Sequence, residues 1–205
     1  MKKIEKLFQL YKNNPIEYKS IDIHQHLETL KKYGEEVEVI TEMGVRWGAS
    51  TIALANSYPK KLTSYDIVTT KESTNHTLIL NEELENYKFI QSDSIKVEIE
   101  ETDILFIDTL HTYNQLISEL NKHSHKVKNY IILHDTETYG LVDENIYNHA
   151  SSIIKNQNIT KKGLLNAIDD FLKTEEGTKW EIHEVFKNNN GLTILKRKLS
   201  YDYNQ

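Results

Sequence analysis

The chain contains no cysteine, and that absence removes several kinds of chemistry at once. Without thiols it forms no disulfide bonds, offers no thiolate metal ligands and has no cysteine nucleophile. It also lacks any apolar run approaching the roughly 20 residues needed to span a bilayer. Its first residues, MKKIEKLFQLYKNN, have neither an unbroken apolar stretch nor a small-residue cleavage site, so we expect no secretory signal. These absences predict a cytoplasmic protein without a membrane partner.

Positive charge and proline are scarce as well. The formal net charge is −6, whereas a general nucleic-acid binder needs a basic surface that displaces counterions. We therefore expect no nucleic-acid partner. The prolines are Pro15 and Pro59, and no linker rich in glycine, serine and proline divides the chain. With 27% charged and 38% hydrophobic residues, the 205 residues suit a single globular domain.

The first 35 residues are predicted to form a helical extension, because Ile4, Phe8 and Tyr11 recur on one helical face. From residue 36 to residue 205 the pattern changes to alternating strands and helices. The predicted parallel strands cover residues 37–42, 62–67, 87–92, 103–108 and 130–135. The predicted helices between them cover residues 49–57, 72–85 and 112–126. Five consecutive βα units favour a doubly wound parallel sheet with right-handed crossovers.

The C-terminal part predicts an antiparallel hairpin instead. Residues 180–186 alternate between apolar and polar, Asn190-Gly191 supplies a turn, and residues 192–195 form the return strand. The predicted fold class is therefore α/β. Its sheet would be doubly wound, mostly parallel and seven-stranded, with five βα units followed by this hairpin.

One loop narrows the function more than any other part of the chain. The first predicted strand runs into Glu42-x-Gly44-x-x-x-Gly48-x-Ser50. Gly44 and Gly48 allow tight turning and a close approach of the backbone to a ligand. Ser50 lies where a helix begins and presents free N–H groups, an environment that suits an anionic group. The pattern is typical of a loop that binds a nucleotide-like cofactor.

An acidic residue follows every predicted parallel strand. These residues are Glu42, Asp66, Asp93, Asp108 and, after His134, Asp135. Ligands bind at the carboxyl ends of the strands of an open parallel sheet, so these side chains are candidate site residues. Asp66 follows Gly44 by 22 residues, where an acid accepts hydrogen bonds from ribose hydroxyls or, alternatively, caps a helix. The pair Asp93-Ser94 suits either an adenine edge or a helix cap.

Taken in order, four motifs resemble class I S-adenosylmethionine-dependent methyltransferases. They are Asp22-Ile-His-Gln-His-Leu, Glu42-Met-Gly-Val-Arg-Trp-Gly-Ala-Ser-Thr, Asp108-Thr-Leu-His-Thr-Tyr and Leu133-His-Asp-Thr. The branch that they resemble most includes cephalosporin-hydroxylase-like and macrocin-type sugar O-methyltransferases. The resemblance extends over nearly the whole chain, including residues 163–172 and the closing hairpin.

The resemblance implies roles around the cofactor. In that family the glycine loop wraps the methionine part of S-adenosylmethionine, the acid after the second strand holds the ribose, and the acid after the third lies by the adenine. Glu42 would orient the loop or the methionine ammonium group, Arg46 would reach a carboxylate or stay exposed, and Trp47 would cover the cofactor or pack. The expected cofactor-binding residues are Glu42, Gly44, Arg46, Gly48, Ser50, Asp66, Asp93 and Ser94.

The resemblance also implies a divalent metal ion, Mg²⁺ or Mn²⁺. Metal-dependent O-methyltransferases of this kind place a carboxylate after the fourth strand and an acidic pair after the fifth. Asp108 and Asp135 match, whereas His134 stands where the pair usually begins with an acid, giving a mixed oxygen and imidazole site. Such a cation lowers the pKa of a substrate hydroxyl and fixes its position. His111 is the candidate general base beside Asp108, with helix capping or support of another ligand as the alternatives.

Two other features carry weaker expectations. Two pairs of histidines, each separated by one residue, would point to different faces of a helix, so we expect them to be solvated or capping. These pairs are His24 with His26 and His123 with His125. The long polar segment 137–160 is expected to be either a substrate lid or a surface insertion. Its aromatic and imidazole side chains include Tyr139, Tyr147 and His149.

The predicted function is a metal-assisted O-methyltransferase that acts on a hydroxyl of a small polar molecule, a sugar or nucleotide-sugar in glycan or natural-product biosynthesis. A nucleic-acid methyltransferase would carry an Asn/Asp-Pro-Pro-aromatic motif where this chain has Asp108-Thr-Leu-His. A metal hydrolase built on Asp108, His111, His134 and Asp135 would not need the glycine loop. A non-catalytic cofactor-binding protein is the third alternative, and homo-oligomer formation is left open.

Overall fold

A central sheet organises the chain in the computed structural model, which describes residues 1–146, 148, 150–158 and 161–199. The strands are β1 (Val39–Met43), β2 (Lys61–Asp66), β3 (Tyr87–Gln91), β4 (Thr102–Ile107), β5 (Val127–His134), β6 (Trp180–Phe186) and β7 (Leu192–Arg197). They form one seven-stranded sheet in the order β3-β2-β1-β4-β5-β7-β6. Strands β1 to β5 pair in parallel, whereas β7 is antiparallel to both β5 and β6.

Helices cover both faces of the sheet. The α-helices are α1 (Lys3–Asn13), α2 (Leu27–Gly34), α3 (Ala49–Ala55), α4 (Lys71–Glu83), α5 (Tyr113–His123), α6 (Ser152–Lys155) and α7 (Leu164–Leu172). Short 3₁₀ turns occur at His24–His26, Ser124–Lys126 and Gly177–Lys179. Side-chain caps fix two of the starting points: Thr70 accepts the Ser73 N–H before α4, and Thr112 accepts the Gln115 N–H before α5.

The central strands are apolar on both faces, as expected for a parallel sheet between two helical layers. In β4, Ile104 and Phe106 face the layer formed by α1 to α4, while Leu105 and Ile107 face the layer formed by α5 and α7. All four side chains are buried. This alternation with a period of two residues gives the molecule a hydrophobic core on each side of the sheet.

The structure confirms the predicted fold class and refines its details. Each predicted strand overlaps an observed one, and the closing hairpin is present. The count of five βα units is too high, because residues 92–101, between β3 and β4, contain turns and no helix. Strand β5 begins earlier than predicted, at Val127. None of the helices in the described ranges is long and apolar enough to cross a membrane.

The N-terminal helices pack on the same core as the sheet. Ile4, Phe8 and Tyr11 of α1 and Leu27 and Leu30 of α2 are buried in one cluster with residues of β1, β2 and α3. The apolar face predicted from Ile4, Phe8 and Tyr11 is therefore a face that the structure buries. This packing brings the first 35 residues close to the loop that follows β1.

We expect Phe106→Ala to destabilise the protein by about 3–5 kcal/mol, the usual cost of emptying a buried phenylalanine site. Phe106 is fully buried in the middle of the sheet, so the cavity cannot be filled by solvent-exposed side chains. The measurement is the free energy of unfolding in urea. Ile182→Ala is the control, because Ile182 on β6 is 52% exposed and its truncation should cost under about 1 kcal/mol.

Candidate functional site

The carboxyl ends of the parallel strands lie along one edge of the sheet. Strand β1 is in the middle, with β2 and β3 on one side and β4 and β5 on the other. The residues at or within two positions of the ends of these strands, read across the edge, include Asp93, Asp66, Gly44, Asp108 and Asp135. The structure thus brings Asp66 and Asp93 to the same edge as Asp108 and Asp135, on opposite sides of the glycine loop.

The glycine loop packs directly against the strand that carries Asp108. Gly44 has a φ of +89°, and a Cβ atom there would lie 1.9 Å from the Asp108 carbonyl oxygen. Gly48 has a φ of +82°, and a Cβ atom there would lie 2.2 Å from His76 Nδ1. Both positions therefore require glycine, for conformation and for space. The tight turning that the sequence predicted at both glycines is present, and the neighbours that enforce it come from other elements.

Glu42 points into the protein instead of toward the edge. Its carboxylate is completely buried and accepts hydrogen bonds from the hydroxyls of Ser50 (2.6 Å), Thr51 (2.8 Å) and Ser64 (2.6 Å). Burial raises the pKa of the Glu42 carboxyl to about 7, although the three hydroxyl donors oppose that rise. Glu42 thus ties the start of α3 to β1 and β2, and the Ser50 hydroxyl is part of this buried network.

Asp66 holds the glycine loop through its backbone. Oδ2 accepts the N–H groups of Val45 (2.8 Å) and Arg46 (2.9 Å), and Oδ1 accepts the N–H of Val68 (2.9 Å). The side chain is only partly buried. A carboxylate oxygen accepts up to two hydrogen bonds, so Oδ1 retains capacity toward the sheet edge.

The N-terminal region covers the tip of the glycine loop. Arg46, which has a φ of +46°, is exposed and forms an ion pair with Asp22 at 3.2 Å. The Tyr11 hydroxyl donates to the Trp47 carbonyl at 2.7 Å, and the Lys19 ammonium lies 4.0 Å from the centre of the Trp47 ring. Arg46 therefore reaches a carboxylate of this chain, and Trp47 packs against the helical extension.

Asp93 and Ser94 differ in exposure. Asp93 begins a turn, and its Oδ1 accepts the Ile95 N–H at 3.1 Å. Ser94 is buried, and its hydroxyl donates to Glu119 at 2.5 Å. Glu119 also accepts hydrogen bonds from Gln115 and Thr109, and burial raises its pKa to about 7 against these donors. The Ser94 hydroxyl thus joins the β3 and β4 edge loops, while Asp93 stays closer to the surface.

A compact cluster of carboxylates and imidazoles follows β4 and β5. His111 Nε2 lies 3.1 Å from Asp108 Oδ1 and 2.9 Å from Asp135 Oδ2. One ligand-type atom from each of these three residues lies within 4.8 Å of the others, a spacing compatible with a single metal ion. His134 Nδ1 lies 3.4 Å from both Asp108 Oδ1 and Asp135 Oδ2. The structure therefore brings together all four residues predicted for this part of the site.

The electrostatics of this cluster are dominated by its acids. Burial lowers the pKa of His134, but Asp108 and Asp135 outweigh burial and raise that pKa to about 10. The pKa of His111 is likewise raised despite burial, because three carboxylates contact the ring. Burial would raise the pKa values of Asp108 and Asp135, but the imidazoles hold both below the usual range. The carboxylates thus favour the protonated form of both imidazoles.

Asp135 is held in an uncommon conformation at the centre of the cluster. Its φ is +60°, in the left-handed region that non-glycine residues rarely adopt. Its Oδ1 is buried and has no hydrogen-bond partner among the described residues. A buried carboxylate oxygen without a donor fits a site that binds a cation.

Sequence reasoning missed a third carboxylate in this cluster. Glu144 Oε2 lies 2.9 Å from His111 Nδ1, and the His111 ring stacks on Tyr139 with ring centres 5.0 Å apart. Glu144 follows no strand and belongs to no motif, so only its tertiary position reveals it. Both nitrogens of His111 consequently face carboxylates, and neither is free to act as a base in this structure.

The expectation for the paired histidines was wrong for one member of each pair. His26 is buried, with Nε2 2.9 Å from the Asn188 carbonyl oxygen and its ring against that of His134. His123 is buried as well, with Nε2 2.7 Å from the Ser94 carbonyl oxygen. His125 is exposed, as expected. The two members of each pair do lie in different environments, as their separation by one residue predicted. The burial of one member of each pair was not predicted.

The segment predicted to be a lid or a surface insertion borders the cluster. A cavity of about 220 Å³ lies beside Glu144. Its other lining residues include Asn114, Asn145, Ile146, Ile154 and Lys162. Tyr139 packs on His111, whereas Tyr147 and His149 lie outside the described residues. The segment thus adjoins the site, and its role as a lid remains a prediction.

Comparison with known proteins identifies the fold. No protein-family model and no curated protein matches the sequence. Among solved structures, similarity is found to a protein from Staphylococcus aureus assigned as a caffeoyl-CoA O-methyltransferase. That match has 14% identity, covers 84% of this chain and 83% of the other, and has a TM-score of 0.59.

Two similar structures were solved with the cofactor or its product. Magnesium protoporphyrin IX methyltransferase from Synechocystis, with bound S-adenosylmethionine, has 11% identity, coverage of 97% and 98%, and a TM-score of 0.56. N-methyltransferase NodS from Bradyrhizobium japonicum, with S-adenosylhomocysteine, has 13% identity, coverage of 87% for both chains, and a TM-score of 0.57. At these identities the likeness establishes a Rossmann-like methyltransferase fold.

The buried carboxyl of Glu42 predicts a pH dependence of stability. Its folded pKa of about 7 lies above the ordinary value of 4.5, so folding favours the protonated form. This stabilisation is complete below about pH 4.5 and is lost as the pH rises toward about 7. Relative to Glu42→Gln, the wild type should therefore lose about 3 kcal/mol of unfolding free energy between these pH values.

Urea denaturation of both proteins across this pH range measures the difference. Glu38→Gln is the matched control, because Glu38 is exposed just before β1, and it should titrate like the wild type. A stability difference between the wild type and Glu42→Gln that does not change with pH would contradict the assignment.

Proposed function

We propose that this protein is an S-adenosylmethionine-dependent O-methyltransferase, assisted by a divalent metal ion, whose acceptor is a hydroxyl of a small polar molecule. The observation that carries the proposal is the contact between the glycine loop and the strand of Asp108. Because Gly44 packs against the Asp108 carbonyl oxygen, a cofactor on the loop and a cation in the cluster would be direct neighbours. Methyl transfer needs that proximity, since the reacting atoms must be aligned.

The residues on the β1–β3 side fit an adenosyl cofactor. Asp66 keeps acceptor capacity at Oδ1 for a ribose hydroxyl, and Asp93 lies beyond it on the next strand, where an adenine would extend. Gly44 and Gly48 allow the tight turns of the loop, and the buried hydrogen bond between Ser50 and Glu42 stabilises it from the protein interior. When bound, S-adenosylmethionine supplies an electrophilic methyl group on its sulfonium sulfur.

The residues on the β4–β5 side fit a divalent cation. Asp108 and Asp135 would hold it with an imidazole from His111, and His134 faces the same oxygens. Carboxylates with imidazole suit Mn²⁺ and also accept Mg²⁺. When bound, the cation lowers the pKa of an acceptor hydroxyl and fixes its position.

The remaining roles in the reaction belong to side chains of this protein. Asp108 Oδ1 is occupied by His111, whereas no described residue hydrogen-bonds Asp108 Oδ2, so we assign that oxygen to accept a hydrogen bond from the acceptor hydroxyl and to orient it. Between the two roles considered for His111, base and ligand, its contacts favour the ligand, because both nitrogens face carboxylates. Tyr139 supports the ring from one side and excludes water there.

The cavity beside Glu144 is the proposed acceptor site. Its volume of about 220 Å³ is below the roughly 300–1,000 Å³ typical of drug-sized ligands. Amide side chains from Asn114 and Asn145 and apolar surface from Ile146 and Ile154 line it. This lining suits one hydroxylated ring, so a sugar or the sugar of a nucleotide-sugar, in glycan or natural-product assembly, is the acceptor class that we propose.

A metal-dependent hydrolase is the competing function. It would use the same acids and imidazoles but would have no need of Asp66 or of the two obligatory glycines. Binding of S-adenosylhomocysteine separates the two functions, because a hydrolase should not bind it. A non-catalytic cofactor-binding protein would bind S-adenosylhomocysteine but would not transfer a methyl group.

Asp66→Asn should weaken S-adenosylhomocysteine binding by about 10- to 100-fold, because the lost charge weakens hydrogen bonds to the ribose and to the loop N–H groups. Isothermal titration calorimetry measures the dissociation constant. Asp103→Asn is the matched control, since Asp103 accepts the N–H groups of Glu38 and Val39 at the opposite end of the sheet. Equal losses in both variants, or no binding by the wild type, would argue against the cofactor assignment.

Asp135→Asn should abolish Mn²⁺ binding at micromolar concentrations and reduce methyl transfer at least about 100-fold, because a carboxylate ligand at the centre of the cluster is lost. Methyl transfer from labelled S-adenosylmethionine to sugars and nucleotide-sugars, with and without EDTA, gives the activity. Cofactor binding should persist in the variant. Full activity of the wild type in EDTA would contradict the proposed metal dependence.

A further inference from the structure

Glu144 contacts His111 through side chain and backbone together. Its carboxylate oxygen Oε2 lies 2.9 Å from His111 Nδ1 and accepts the His111 backbone N–H at 3.3 Å. In return, the Glu144 backbone N–H donates to the His111 carbonyl oxygen at 2.8 Å. The Glu144 side chain is 12% exposed. This paired contact fixes both the position of the residue and the direction of its imidazole.

The protons of the imidazole follow from these contacts. A carboxylate only accepts hydrogen bonds, so the contact with Glu144 requires a proton on His111 Nδ1. In the neutral ring the lone pair is then on Nε2. That nitrogen points between Asp108 and Asp135, where its lone pair would be repelled unless a proton or a cation lies there. Glu144 therefore selects the tautomer in which His111 is able to bind a metal ion.

The local backbone is anchored independently of His111. Asp143 Oδ1 accepts the N–H groups of Tyr113 (2.9 Å) and Gly163 (2.8 Å), which connects this segment to α5 and to the start of α7. The segment therefore has its own attachment next to Glu144. Loss of the Glu144 carboxylate should therefore leave the Asp143 anchor in place while it removes the acceptor that faces His111 Nδ1.

From this geometry we infer that Glu144 is a positioning residue, which holds His111 as the imidazole ligand of a divalent cation shared with Asp108 and Asp135. The inference rests on the metal site of the proposed function and adds to it a carboxylate from the connection between β5 and α6. It also gives His111 a fixed role, as ligand through Nε2 and as hydrogen-bond donor through Nδ1. Carboxylate partners of this kind raise the basicity of a ligating histidine and set its tautomer.

The test is the affinity of the full chain for Mn²⁺, measured by calorimetry or by the electron paramagnetic resonance signal of free Mn²⁺. We expect Glu144→Gln to bind Mn²⁺ about 10- to 100-fold more weakly than the wild type. The amide is uncharged, and its NH₂ group can donate to Nδ1 and so favour the wrong tautomer. Glu137→Gln, an exposed change in the same segment, should bind like the wild type.

Asp143→Asn tests whether attachment of the segment alone accounts for the effect. This change weakens the hydrogen bonds that anchor the segment but leaves the Glu144 carboxylate unchanged. It should retain Mn²⁺ affinity within about threefold. Equal affinity of Glu144→Gln and wild type, or an equal loss in Asp143→Asn, would overturn the inference while leaving the metal site intact. Failure of the wild type itself to bind Mn²⁺ would instead remove the metal from the proposed function, and the inference with it.

A spectroscopic readout checks the tautomer directly. In the Zn²⁺-loaded wild type, nitrogen-15 NMR of the histidine rings should show His111 with a proton on Nδ1 and none on Nε2. The signal is assigned by its loss in His111→Ala. A Zn²⁺-loaded wild type with the proton on Nε2 would contradict ligation through Nε2 and, with it, the role of Glu144 as the acceptor at Nδ1.

Discussion

The burial of negative charge at one edge of the sheet is the constraint on which this site depends. Asp108, Asp135 and Glu144 converge on the His111 ring, and a buried carboxylate is costly unless a cation or several donors accompany it. In the described part of the chain, imidazoles supply that compensation. Deeper in the protein, Glu42 is compensated by hydroxyls alone, which explains why its pKa is raised whereas those of Asp108 and Asp135 are lowered.

The same constraint separates the acidic residues at and below this edge of the sheet into two kinds. Glu42 and Glu119 lie inside the fold and connect elements: one joins β1, β2 and α3, and the other joins the β3 and β4 edge loops. Asp66 and Asp93 lie nearer the surface and hold backbone N–H groups. Of these four acids, Glu42 and Glu119 connect elements of the fold, whereas Asp66 and Asp93 keep their carboxylates at the edge of the sheet.

Much of the fold was readable from the sequence because apolar periodicity and strand-end acids are local signals. The apolar run of β4 and the glycine pattern after β1 predicted the sheet and the tight loop at its carboxyl edge. The direction of each side chain was not readable, since it depends on contacts between distant elements. The hydroxyls of Ser50 and Ser94 point inward and donate to Glu42 and Glu119. The ring of His26 packs against that of His134. Glu144, which contacts His111, lies in a polar segment without a periodic pattern.

His111 illustrates why composition and spacing alone cannot assign a chemical role. An imidazole three residues after an aspartate suggests a base, because histidine titrates near neutrality. A base, however, needs one nitrogen that is unprotonated and open to the substrate. Here carboxylates face both nitrogens, so the ring either carries two protons or gives one nitrogen to a cation. Both states leave it unable to accept a proton from an acceptor hydroxyl, so the contacts of His111 favour a ligand role over the role as a base that its spacing suggested.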